Sequence, residues 1–344
     1  MIDVEATGFC RCTHRPTWND AVVDSDAWER ITRREPIASG GKSGSQLERG
    51  WLDDGSPVVI KHAVADADWI MQATDDRGRV ADMWVNGVFD RVPAVVEHAL
   101  LAVRRKPGGA ELLMSDLSGC LFSSGPDFRA CHLDVLSGVT SLHRAFASGP
   151  VHELCSLRDY YTFLSPQVCA RFADDHDVPA LAVEGWARFH ELVPADVVGA
   201  IDRLHDDPRP LVDALSGYEG TLVHGDLKMA NLGMDRARVV LLDWGTLTTW
   251  APAAVDFAWY LAINAAALDL DLELDVLVEQ CRRAIGAGGD AALDLALVGA
   301  LAQLGWEKAL GASAGHAATM QRERVGLAWW VRVVREALAK WPLS

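Results

Sequence analysis

The sequence predicts an α+β protein of two lobes: a small antiparallel-sheet lobe with one helix over residues 30–114, then a large, mainly helical lobe over residues 120–344. Three observations predict it. Between Ile31 and Met114, short apolar and β-branched runs alternate with turn residues. Beyond residue 120, apolar positions recur at helical spacing over long stretches punctuated by proline. Within that helical part, residues 221–245 drop the helical period and read as strand, polar loop, strand.

Residues 1–29 read as an N-terminal arm. Cys10-Arg11-Cys12-Thr13-His14 has metal-ligand residue types, but a zinc site takes four ligands and no second Cys/His cluster lies nearby in sequence, so an irregular arm is expected. The pattern turns strand-like at Ile31. A second strand runs from Gln46 to Trp51, Asp53-Asp54-Gly55-Ser56-Pro57 makes a tight turn, and Val58-Val59-Ile60-Lys61 is the third strand. Ser39-Gly40-Gly41-Lys42-Ser43-Gly44-Ser45 is a small-residue loop between the first two. Its Gly-Lys-Ser fragment is no P-loop, because Pro36 stands where that motif needs glycine and a strand follows where it needs a helix.

Trp69, Ile70, Met71, Val80, Trp84, Val85 and Val88 predict one helix within residues 66–91, ended by Val92-Pro93. Val95–Arg104 and Ala110–Met114 are the fourth and fifth strands. The last runs into Ser115-Asp116-Leu117-Ser118-Gly119, a candidate hinge over 115–119. Helices are expected at Leu133–Phe146, Ala180–Glu191 and repeatedly from Ala254 to Trp341, separated at Pro194, Pro208-Arg209-Pro210 and Pro252. Trp306, Trp329, Trp330 and Trp341 should fill the packing of those helices.

Residues 221–245 carry the chemistry. His224-Gly225-Asp226 is followed by Asn231, then by an apolar run ending in Asp243-Trp244-Gly245, and the flanking segments Thr221–Val223 and Val239–Asp243 are expected to pair as antiparallel strands. Phosphoryl transfer from a nucleotide needs a carboxylate to orient the attacking hydroxyl, with an amide oxygen and a second carboxylate to hold Mg²⁺. Asp226 fills the first role; Asn231 and Asp243, hard oxygen donors, fill the others.

This stretch resembles the catalytic and metal-binding loops of the aminoglycoside phosphotransferase and choline kinase families, distant relatives of protein kinases. The resemblance spans about residues 30–340 and is strongest at 221–260. It implies a bilobal protein-kinase-like fold and a small-molecule kinase using ATP (or GTP) and Mg²⁺. It implies further that Lys61 contacts the α and β phosphates, that the loop holding Gly41 and Ser43 closes over them, and that the base meets backbone groups near Ser115 and Leu117. Lys228 resembles the protein-kinase form of this loop, which implies that it reaches the transferred phosphate; a solvated surface lysine is the alternative. His224 then packs within its loop, and Asp256, a lone carboxylate on an apolar helix, braces the His224–Asp226 backbone.

Two places depart from the pattern or leave it open. The family places a glutamate on the small-lobe helix as partner to Lys61; here that region reads Arg79-Val80, with Asp75, Asp76 and Asp82 the nearby acids. Lys61 is therefore assigned no partner. In Leu268–Asp275, the acids Asp269, Asp271, Glu273 and Asp275 either bind a cationic acceptor or form the solvated start of a helix.

Composition narrows the partners. A formal charge of −16 argues against nucleic acid or an anionic membrane and is compatible with a cationic small substrate. The apolar stretch Val255–Leu268 is too short to span a bilayer and contains Asp256 and Asn264. Ile2-Asp3-Val4-Glu5 is unlike a secretory signal, and seven scattered cysteines suit a reducing, cytoplasmic setting. The expected function is phosphorylation of a hydroxyl on an antibiotic, sugar or amino alcohol. The alternatives are a kinase for a peptide or biosynthetic intermediate in a natural-product pathway, and a nucleotide-binding pseudokinase.

Overall fold

The computed structural model describes residues 25–38, 43–268, 274–286 and 288–341. Five antiparallel strands, β1 (Ile31–Pro36), β2 (Gln46–Leu52), β3 (Pro57–Val64), β5 (Leu100–Lys106) and β6 (Gly109–Ser115), form one sheet in the order β1-β2-β3-β6-β5. β4 (Val96–Glu97) lies elsewhere. The period of two along a strand gives this sheet two apolar faces. Leu113, Val58 and Ile60 face a small cluster with Leu52 and Trp28, whereas Leu112 and Ala63 face the main core. Trp28 belongs to the segment expected as a loose arm, yet it is 5% exposed and Arg104 stacks on its ring. An indole can cover a sheet end even when a single residue leaves no periodic signal.

The expected helix within 66–91 is two short ones, α1 (Trp69–Ala73) and α2 (Arg79–Val85). The break has a local cause. Asp75 and Gly78 adopt positive φ, and the Asp76 carboxylate accepts the N–H groups of Gly78 and Arg79, starting a new helix there. Trp69 packs between Phe163 and Phe172 of the large lobe, so α1 fastens one lobe to the other.

The expected fourth strand also divides. β4 pairs in parallel with a large-lobe strand; Ala99 then takes φ +62°, and β5 joins the small-lobe sheet. One continuous strand cannot serve two sheets without such a kink.

The large lobe contains α3 (Phe128–Phe146), α4 (Leu157–Thr162), α5 (Pro166–Cys169), α6 (Asp177–Leu192), α7 (Ala195–Asp206) and α8 (Arg209–Ser216). Four short strands follow: β7 (Thr221–Val223), β8 (Leu232–Asp235), β9 (Arg238–Leu241) and β10 (Thr249–Ala251). The chain ends with α9 (Ala254–Asn264), α10 (Leu274–Ile285), α11 (Asp290–Ser313) and α12 (Ala317–Lys340). α11 is buried along most of its length and packs on α6, α9 and α12. Trp306 and Trp330 lie in that packing, Trp329 is half-buried and Trp341 is exposed.

Strand pairing around the key stretch differs from expectation. β7 pairs with β10, and β9 pairs with β8 and β4, so Thr221–Val223 and Val239–Asp243 are not partners. Arg236 at φ +56° turns a tight hairpin between β8 and β9, which captures β9 locally. The helices and the two-faced sheet together give the α+β, two-lobed architecture expected from sequence.

Candidate active site

The loop after β7 is short and rigid because its backbone is tied from below. On α9, Asp256 is fully buried; its Oδ2 accepts the His224 N–H at 2.9 Å and its Oδ1 accepts the Gly225 N–H at 2.9 Å. His143 Nε2 lies 2.9 Å from the same Oδ2, giving the buried carboxylate a third polar contact. Gly225 sits at φ +86°, and a Cβ there would lie 2.2 Å from the Leu247 carbonyl oxygen, so only glycine fits. The His224 ring packs edge-on to Trp244, and burial lowers its pKa, which keeps the imidazole neutral near pH 7.

This backbone presents Asp226 into the cleft. The Asn231 amide donates to Asp226 Oδ2 at 2.9 Å and to its carbonyl at 3.1 Å, while Lys228 Nζ donates to Oδ2 at 2.6 Å. With Nδ2 of Asn231 committed in this way, Oδ1 is the atom left to meet a cation. Burial opposes the Lys228 charge, but Asp226 and then Asp243 outweigh it, and its pKa lies above the ordinary lysine value. The alternative of a freely solvated lysine does not describe this residue, whose side chain is 33% exposed and ion-paired.

Asp243 follows β9 at φ +69°, a left-handed conformation that costs a non-glycine residue about 1–2 kcal/mol. Three contacts hold the turn. Thr248 Oγ1 accepts the Gly245 N–H and donates to the His224 carbonyl, tying the two loops together. The Arg79 guanidinium, buried on α2, donates to the carbonyls of Thr246 at 2.5 Å, Thr74 at 3.0 Å and Gly245 at 3.5 Å. Val80 packs so closely on Gly245 that a Cβ there would lie 2.7 Å from its own.

Lys61, on β3, donates to Asp243 Oδ1. None of the three acids near Arg79 is its partner: Asp75 pairs with Arg77, Asp76 caps α2 and Asp82 pairs with Arg105. The carboxylate that sequence reasoning missed is Asp68. It caps α1 through the Ile70 and Met71 N–H groups, accepts Ser45 Oγ at 2.7 Å, and lines the cleft with Ser43, Lys61, Asp226, Asp243 and Thr246. Its only sequence signal is an N-cap position ahead of Trp69.

The remaining expected residues fall as follows. Ser43 lines the cleft and its carbonyl accepts the Trp69 N–H, while Gly41 lies outside the described residues. The Ser115 N–H is committed to the Ala99 carbonyl at 2.8 Å, and Leu117 is buried beside Ala99, Cys120 and Val240. Asp269, Asp271 and Glu273 lie outside the described residues. Asp275 faces α12, accepting from Trp329 Nε1 and pairing with Arg332.

A sheet lobe and a helical lobe with carboxylates and lysines at their junction define the class of protein-kinase-like phosphotransferases. The chain belongs to the phosphotransferase enzyme family (APH), whose family model matches residues 113–306. No curated protein matches the chain in sequence. Among solved structures it is similar to choline kinase LicA from Streptococcus pneumoniae, at 9% identity and a TM-score of 0.50, covering 89% of this chain and 95% of that one. Two ternary complexes of thermostable mutants of aminoglycoside phosphotransferase APH(4)-Ia also match at a TM-score of 0.50, each covering 88% of this chain and 94% of that one. One holds ADP and hygromycin B, at 12% identity; the other holds AMP-PNP and hygromycin B, at 13%. At these identities the likeness establishes a common protein-kinase-like fold. Among the described residues, no helix is long and apolar enough to cross a membrane.

Proposed function

We propose that the protein transfers the γ-phosphoryl group of ATP, or of GTP, to a hydroxyl of a small molecule such as an antibiotic, a sugar or an amino alcohol, with Mg²⁺ as cofactor. The observation that carries this reading is the convergence of Asp226, Lys228, Asn231, Lys61 and Asp243, drawn from both lobes, on one cleft. The ADP and AMP-PNP of the two aminoglycoside kinase complexes support an adenine nucleotide.

The donor set fits Mg²⁺. Asn231 and Asp243 offer an amide oxygen and a carboxylate. So sparse a set suits an ion that keeps waters and phosphate oxygens in its shell. When bound, Mg²⁺ would neutralise charge on the phosphates as the leaving group departs.

The protein's own groups do the rest. Asp226 accepts the hydrogen bond of the attacking hydroxyl and aligns it in line with the γ-phosphorus; orientation matters more than basicity in a loose transition state. Lys228, already beside Asp226, reaches the transferred phosphate, and Lys61 serves the α and β phosphates as a point charge. At the hinge, the Ser115 N–H is committed to the Ala99 carbonyl and the Leu117 carbonyl accepts the Cys120 N–H, so the Leu117 N–H is the group proposed to meet the base. Cys155, Cys169 and Cys281 are buried thiols outside any disulfide, which suits a reducing, cytoplasmic setting.

The test is nucleotide consumption with ATP and GTP, with and without Mg²⁺, against a panel of hydroxyl compounds. Acceptor-dependent turnover is expected, with Asp226→Asn lowering kcat by about 10²-fold or more. An Asp226→Asn variant as active as the wild type overturns the proposal.

A further inference from the structure

We propose that Asn264, at the end of α9, is a positioning residue that holds Lys228 on line for phosphoryl transfer. The inference rests on the reading of Asp226 and Lys228 given above. Asn264 is 1% exposed and spends its whole amide on backbone. Its Oδ1 accepts the Met229 N–H at 2.7 Å, and its Nδ2 donates to the Leu227 carbonyl at 2.7 Å and to the Tyr260 carbonyl at 3.0 Å. The first two contacts flank Lys228 on either side, fixing the peptide planes between which its Cα sits. Those planes set the direction in which the side chain leaves the backbone.

The bond to Tyr260 closes the last turn of α9 and would suffice for a helix end alone. The other two leave the helix for the loop. Leu227 is fully buried, so water cannot readily replace the amide at that carbonyl. Only a side chain that donates and accepts at once satisfies both neighbours of Lys228. α9 therefore grips the loop twice: Asp256 holds the N–H groups of His224 and Gly225, and Asn264 holds the groups around Lys228. Eight positions apart, the two lie about 12 Å from each other along the helix, and one rigid element thus sets both ends of the Asp226–Lys228 pair.

The test pairs two variants of Asn264 with one of Lys228. Asn264→Leu removes both loop contacts; Asn264→Asp keeps the shape but sets a carboxylate against the Leu227 carbonyl, and carries the same expectation should the leucine variant not fold. The expected result is a kcat about tenfold lower or more, with the nucleotide KM within about twofold, as for a misplaced but intact group. In a Lys228→Met background the same change should alter kcat by less than about twofold, since the two act as a unit. Unchanged kcat with only a lower thermal midpoint, or additive losses in the double variant, would overturn the inference. Hydrogen exchange on the nucleotide-free wild type gives a readout apart from activity: the Met229 amide should be protected, and an unprotected amide also overturns it. If Lys228→Met alone retains full turnover, the role given to Lys228 fails instead, while the Met229 protection still reports on the Asn264 contact.

Discussion

Lys61 and Asp243, 182 residues apart in sequence, are joined directly, ammonium to carboxylate, across the junction of the two lobes. Burial opposes both charges, yet each partner sustains the other: the Lys61 pKa lies above its ordinary value and the Asp243 pKa far below. The lysine expected to touch phosphate thus rests on the carboxylate expected to touch metal. On the proposed reading, a bound nucleotide and its cation would divide this pair, Lys61 going to phosphate and Asp243 to Mg²⁺. Before it arrives, the pair keeps a carboxylate from being left alone in a partly buried cleft.

Asp243→Asn should therefore abolish transfer while the fold survives. If Asp243 holds the metal as proposed, its loss removes several kcal/mol of transition-state stabilisation, or about 10³-fold in kcat. Calorimetric titration with nucleotide, with and without Mg²⁺, should show that the Mg²⁺-dependent gain in affinity has gone. An undiminished gain in the variant would reject Asp243 as a ligand.

Arg79 offers a second test. It stands in the region where the resembled pattern has a glutamate, and it ties α2 to the loop after Asp243 through the Gly245 and Thr246 carbonyls. Arg79→Met leaves those carbonyls and Asp76, 3.6 Å away, without their buried cation, at a cost of roughly 3–5 kcal/mol of stability. Because the loop carrying Asp243 at positive φ is freed as well, the Mg²⁺ concentration for half-maximal turnover should rise. Turnover measured against Mg²⁺ would show this, and an unchanged metal requirement in a destabilised variant would confine Arg79 to a structural role.

What could be read from the sequence was local. Asp226, Asn231 and Asp243 lie on one short stretch whose spacing is fixed by a loop and a hairpin, and Asp256 announced itself as a carboxylate among apolar neighbours. Asp68, Arg79 and Asn264 were not legible as site residues, because each reaches the loops only through tertiary proximity. Asp68 reads as a helix cap and Asn264 as the polar end of a helix until the loop is laid beside it. Likewise the partner of Thr221–Val223 is the three-residue strand Thr249–Ala251, too short to show an alternation. Trp28 reads as part of the arm because one aromatic residue has no period to betray the sheet beneath it.

Acidification should destabilise the protein from near neutrality downward. Burial holds His98, His132, His205 and His224 below the ordinary histidine value of 6.5. As pH falls through about 6.5 the unfolded chain takes up protons that the folded chain refuses, so stability present above that pH is lost below it. The other shifted groups act elsewhere: the Asp243 contribution persists until pH falls below its unfolded value of 3.8, and those of Lys61 and Lys228 persist until pH rises past 10.5. Between pH 7.5 and 5.5 the histidines dominate among these groups, and the thermal midpoint should drop steadily. A midpoint that is level or rising over that range contradicts the argument.

The acidic stretch decides whether the acceptor is cationic, and Asp275 supplies the control. Its side chain is 61% exposed and pairs with Arg332 on α12, so Asp275→Asn should cost under about 1 kcal/mol and leave every acceptor's KM alone. Asp269, Asp271 and Glu273 carry the real question. If they hold an amine, their amide variants should raise KM for amine-bearing acceptors by about tenfold per 1.4 kcal/mol of binding lost, with neutral sugars nearly untouched. Steady-state kinetics on matched amine and neutral compounds, with Asp275→Asn alongside, separates the outcomes. A selective loss in the variants of the first three acids supports a cationic acceptor, whereas equal responses to both compound types would remove that substrate class.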